Sequence, residues 1–148
     1  MTKTNIPSPL GIKILSIFLF LFSMFAFFGS LFMWGEGFLF SFPEGVDFAY
    51  PITDILVNAP ASLIAAVGLW KMKRFGYVAS QFVAGFYIYA SVEIFVHVIQ
   101  EGPPYALAIV LPQVLAVIIG IALVVYLWQF QDTFFCEIKS NEREHSNG

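Results

Sequence analysis

Residues 75–99 read FGYVASQFVAGFYIYASVEIFVHVI, with Glu93 and His97 one helical turn apart in an otherwise apolar run. A helix of that length crosses about 30 Å of hydrocarbon at about 1.5 Å per residue. An ionisable side chain at membrane depth is costly and normally faces a protein interior, a cavity or a partner. This one stretch therefore states a class, membrane-spanning helix, and raises a question about what its polar residues meet.

Three further blocks of the 148-residue chain have the same character. Ile14–Trp34 carries no charge, Pro51–Trp70 carries only Asp54, and Gly102–Gln131 carries none, with its apolar centre at Pro104–Phe130. Hydrophobic residues make up 59% of the chain and charged residues 11%, far from the composition of a soluble domain. In lipid the backbone must satisfy its own hydrogen bonds, so the expected fold is an all-α integral membrane protein. Four transmembrane helices, about 10–34, 51–70, 75–99 and 104–130, form an antiparallel bundle within one domain, 1–135.

Charge orients the bundle. Lys3 and Lys13 precede the first span, Lys71, Lys73 and Arg74 join the second to the third, and Lys139 and Arg143 follow the fourth. The remaining loops carry only acids, Glu36, Glu44 and Asp47 in one and Glu101 in the other. The positive-inside rule then places both termini and the central loop in the cytoplasm. A plasma membrane is expected, with the endoplasmic reticulum as the alternative for a eukaryotic source. The net charge of −3 gives no support to nucleic-acid binding. Lysines before an apolar run resemble a signal peptide, but the run exceeds an h-region of about 7–15 residues and no small-x-small site ends it. Cys136 is the single cysteine, which excludes an internal disulfide.

Local signals fill in the organisation. Ser8-Pro9 reads as an N-cap and first-turn proline for the first helix. Phe38–Tyr50 alternates aromatic residues with Gly, Pro, Glu and Asp and is expected to lie in the outer interface over the bundle. The four-residue link Lys71–Arg74 makes the second and third spans a hairpin. Ala61, Ala65 and Gly68 give the second span a small-residue edge, and Gly76, Ser80 and Ala84 give the third another, for close approach. Gly102-Pro103-Pro104 turns the chain, Pro112 is expected to kink the fourth helix near mid-bilayer, and the polar tail 136–148 is expected to be disordered.

Positions i, i+4 and i+8 share a helix face. Tyr89, Glu93, His97 and Glu101 align in this way on the third span, and Asp54, Asn58 and Ser62 on the second. Asp54 precedes Lys71 by 17 residues and Glu93 follows Arg74 by 19, so their levels differ by only about 3 Å of helix rise. Gln113 of the fourth span falls near that depth. Asp54, Asn58, Tyr89, Glu93, His97 and Gln113 are therefore the candidate ligand-binding or polar-network layer, in the outer half of the bilayer.

The stretch Asp54-x-x-x-Asn58-x-Pro60 resembles the acid-x-x-x-amide-x-proline run of the sigma-2 receptor and sterol-isomerase superfamily, over seven residues of this chain. That resemblance implies a helical membrane protein with an acid-lined ligand pocket, and no residue role is carried over from it. The residues themselves leave several functions open: binding of a small amphipathic ligand or lipid, a non-catalytic subunit of a membrane complex, or an oligomeric ion or proton-coupled carrier. No nucleophile motif is present, so an enzyme is not the leading expectation. General acid/base chemistry by Glu93 and His97 would be its type. Glu-x-x-x-His supplies two ligands where di-iron helices use Glu-x-x-His, so neither a metal nor a cofactor is expected. The expected partners are membrane lipids and either another membrane protein or further copies of the chain.

Overall fold

The computed structural model describes residues 9–35, 52–101 and 106–135, and these are helical throughout apart from short turns. Helix α1 is Leu10–Gly35. Helix α2 opens with a π turn, Asp54–Asn58, that runs into the α-helix Ala59–Trp70. Helix α3 is Arg74–Glu101 and α4 is Ala106–Gln129. A last helical turn covers 131–135. Among the described residues, three stretches, Leu10–Phe32, Arg74–Gln100 and Val110–Gln129, are long and apolar enough to cross a membrane, and Asp54–Trp70 is a shorter apolar helix. The Ser8 cap, the aromatic loop 38–50, the Pro103-Pro104 turn and the tail 136–148 lie outside the described residues.

The helices pack in chain order, α1 on α2, α2 on α3 and α3 on α4, while α1 and α4 touch only lightly. One α1–α4 contact is Tyr126, whose ring covers Gly11 where a Cβ would stand. The buried apolar core runs through Ile12 and Leu19 of α1, Leu69 of α2, Val83 and Tyr87 of α3, and Leu123 and Leu127 of α4. Large apolar side chains on the outer surfaces, such as Phe25, Phe28, Phe82, Ile118 and Trp128, are exposed. That inside-out distribution suits a lipid environment, where outward apolar surface costs nothing.

Small residues and hydroxyls set the spacing between helices. At the α2–α3 hairpin the backbones of Gly68 and Gly76 meet directly. The turn between them is a Schellman motif: Lys73 N–H donates to Gly68 O at 2.8 Å and Met72 N–H to Leu69 O at 3.0 Å. Met72 takes the left-handed position with φ 51°, where glycine is usual. Its side chain packs on the core, which offsets the strain. On α1, Ser16, Ser23 and Ser30 recur every seven residues and are all buried. Ser16 Oγ donates to Ala66 O and Ser23 Oγ to Ala59 O, each at 2.7 Å, so a ladder of hydroxyls ties α1 to α2.

The π turn at the start of α2 is explained by Pro60. Proline has no N–H, and its ring would strike the carbonyl four residues back, that of Leu56. Widening the preceding turn avoids the clash, and Ala59 N–H then donates to Asp54 O, five residues back. At the opposite end the turn 131–135 folds over the start of α3. Phe134 is buried with its ring 5.5 Å from Tyr77, and Phe135 meets Tyr77 edge-on at 5.5 Å. The Arg74 guanidinium lies 4.8 Å above the Phe135 ring, a cation–π contact.

Candidate functional site

The polar layer is built from α2 outward. Asp54, Asn58 and Ser62 lie on one helix face, and they are joined side chain to side chain. Asn58 Nδ2 donates to Asp54 Oδ1 at 2.8 Å, and Ser62 Oγ donates to Asn58 Oδ1 at 3.1 Å. The Tyr87 hydroxyl of α3 lies 2.9 Å from Ser62 Oγ. A serine hydroxyl has a single proton. Having given it to Asn58, Ser62 can only accept from Tyr87, so the chain of donors runs Tyr87 to Ser62 to Asn58 to Asp54. The Ser30 hydroxyl of α1 lies beside the Asp54 carboxyl. Three helices thus converge on one acceptor, and bonds in such a chain polarise one another.

A second contact closes the layer between α3 and α4. Ser91 Oγ, fully buried, lies 3.0 Å from Gln113 Oε1 and 3.2 Å from Gln113 O. Gln113 follows Pro112, which sits inside α4 and leaves one carbonyl of that helix without its usual donor. The Gln113 amide nitrogen has no hydrogen-bond acceptor among the described residues.

Of the residues expected in the layer, Asp54, Asn58 and Gln113 are brought into these interior contacts. Tyr89 and Glu93 are not: both are exposed on the outer face of α3, Tyr89 to 69%. The side chain of His97 lies outside the described residues. The residues that α3 turns inward are Ser80, Val83, Ala84, Tyr87 and Ser91. Two residues of helix are about 200° of rotation, which separates Tyr87 from Tyr89 and Ser91 from Glu93. The signal for Tyr87 and Ser91 is present in the sequence: they continue the small-residue edge Gly76, Ser80, Ala84 in steps of three and four.

An apolar groove opens at the same level, where α1 and α4 diverge. It has a volume of about 450 Å³ and is lined by Leu21, Phe22, Phe25, Leu111, Pro112 and Leu115. Its Phe22 wall is the far side of the polar layer, since the Phe22 and Tyr87 ring centroids are 5.6 Å apart. Among the described residues no group of three or more His, Cys, Asp or Glu side chains is placed to hold a metal ion. Comparison with protein-family models, with curated proteins and with solved structures finds no match to this chain.

Proposed function

We propose that the chain is a four-helix integral membrane protein that binds a small amphipathic molecule or lipid from the side, in the outer half of the bilayer. The observation that carries this reading is the apolar groove between α1 and α4, set at the level of the Tyr87–Ser62–Asn58–Asp54 chain and next to Gln113. A hydrocarbon tail fits a groove whose lining, among the described residues, is apolar throughout. The amide nitrogen of Gln113, without an acceptor among the described residues, is a donor suited to an ester carbonyl or a carboxyl oxygen. Asp54 and Asn58 are anchors of the layer behind the groove. Tyr89 and Glu93, expected as anchors from the sequence, have no part in this groove. The site calls for binding rather than for bond breaking.

The test is native mass spectrometry of the purified full chain with oleic acid and monooleoyl glycerol as probes. One molecule of probe is expected per chain, with binding weakened at least tenfold by Leu115→Trp, which fills the groove. Gln113→Leu is expected to weaken it less, by roughly the one hydrogen bond it removes, about 1 kcal/mol. Undiminished binding in Leu115→Trp would refute the groove as the site.

The same reading places the basic ends of the bundle in the cytoplasm. Support comes from Lys13, Lys71, Lys73 and Arg74, which the antiparallel packing gathers at one end, while Asp54 and Glu93 lie toward the other. A cysteine introduced at Glu44, in a Cys136→Ser background, is expected to react with an impermeant thiol reagent applied to intact cells. Labelling only after the cells are broken open would reverse the orientation.

A further inference from the structure

We infer that the outer face of α3 is the contact face of a two-fold dimer, with Tyr89 of each copy donating to Glu93 of the other. Glu93 is exposed, yet it is not at the edge of the apolar surface. Phe82 and Tyr89 precede it on that face, and Val96 and Ile99, exposed to 47% and 80%, extend the face about 4.5 and 9 Å beyond it. Among the described residues it is the one exposed carboxylate within a membrane-length helix. Among the described residues no side chain of the bundle hydrogen-bonds it, and a carboxylate in that position needs a partner.

The face is complementary to itself. Tyr89 offers a hydroxyl donor and Glu93 an acceptor one helical turn, about 6 Å, further along. Two copies inserted the same way hold their α3 helices parallel, and a two-fold axis along the membrane normal makes every contact reciprocal. Helical side chains lean toward the N-terminus, so each Glu93 carboxylate reaches back over the turn toward the Tyr89 hydroxyl of the opposite copy. Gly85 lies one turn before Tyr89 on the same face, and a Cβ built there meets nothing within 4 Å. A glycine in a helix interior costs about 1 kcal/mol against alanine. At a helix crossing it lets a second backbone approach closely.

The experiment uses the full-length chain in its native membrane, with Cys136→Ser as background and two differently tagged copies expressed together. Single cysteines at Val92 or Val96 are expected to give, on mild oxidation, a product at twice the 16.6 kDa chain mass that carries both tags. Cysteines at Ile118 or Val125, exposed on α4, are expected to give at least tenfold less. Tyr89→Phe and Glu93→Leu each remove both reciprocal bonds, and each is expected to weaken association in vesicles roughly tenfold, with Glu93→Gln within about threefold of the parent. These positions face outward, so the variants remain folded, which monodispersity in detergent verifies. Equal cross-linking from α3 and α4, no cross-link at all, undiminished association of Glu93→Leu, or a product joining the chain only to a different protein would each overturn the dimer.

Discussion

Gly76→Ala is expected to destabilise the protein by about 3 kcal/mol or more, a large loss for the addition of one methyl group. A Cβ at Gly76 meets Gly68 C, Gly68 Cα and Leu69 N, all of them backbone. Overpacking against side chains costs about 1–3 kcal/mol because the neighbours rearrange. Backbone atoms in the facing helix cannot rotate away, so α2 and α3 must move apart along the hairpin. That movement also lengthens the Ser62–Tyr87 contact farther along the same pair. Gly68→Ala meets Gly76 Cα and the Phe75 ring and is expected to behave alike. Gly29→Ala is the contrast: nothing lies within 4 Å of its Cβ, and a gain of up to about 1 kcal/mol follows from helix propensity. Unfolding in mixed detergent micelles measures all three, and a Gly76→Ala variant within 1 kcal/mol of the parent would refute the close approach.

Much of this arrangement was legible in the chain. The apolar blocks give the helices, and the spacing of Asp54, Asn58 and Ser62 gives a face that the structure joins by hydrogen bonds. Counting residues from the hairpin turn gives depth, and Gln113 does fall at the level of Tyr87 and Ser91. Depth is not azimuth, however. Glu93 and His97 stand out because they are ionisable, and that says nothing about which way they point. The rotation of α3 is fixed by what can pack tightly, Gly76, Ser80 and Ala84, and that edge leads to Tyr87 and Ser91.

Other features left weaker marks. The seven-residue spacing of Ser16, Ser23 and Ser30 is visible, but their partners at Ala66 and Ala59 are backbone carbonyls, which any residue supplies. Pro60 announces a disturbance four residues back without specifying a kink, a break or a π turn. The groove between α1 and α4 has no sequence signature, because it arises from a pair of helices that fail to pack. Its lining residues read as ordinary lipid-facing positions.

The donor chain can be tested at its centre, and the effect is expected to be large. Asn58→Leu removes the amide that accepts from Ser62 and donates to Asp54, leaving polar groups on both sides unsatisfied. The expected cost is about 3 kcal/mol, at about 1–3 kcal/mol for each buried group left alone. Asn58→Asp is the sharper variant. It keeps an acceptor for Ser62 but replaces the donor 2.8 Å from Asp54 Oδ1 with a second carboxylate. Where both carboxyls are ionised, two like charges face each other with no proton between them, and a loss at least as large as that of Asn58→Leu is expected. As pH falls, one proton held between the two carboxyls restores a donor. The folded variant then binds more protons than the unfolded chain, so its stability rises on acidification. The gap between Asn58→Asp and the parent is therefore expected to narrow as pH is lowered, while that of Asn58→Leu changes little. Thermal unfolding of the three proteins across a pH series measures both gaps. A gap for Asn58→Asp that widens on acidification would mean that no carboxyl pair forms there, and would refute the Asn58–Asp54 contact.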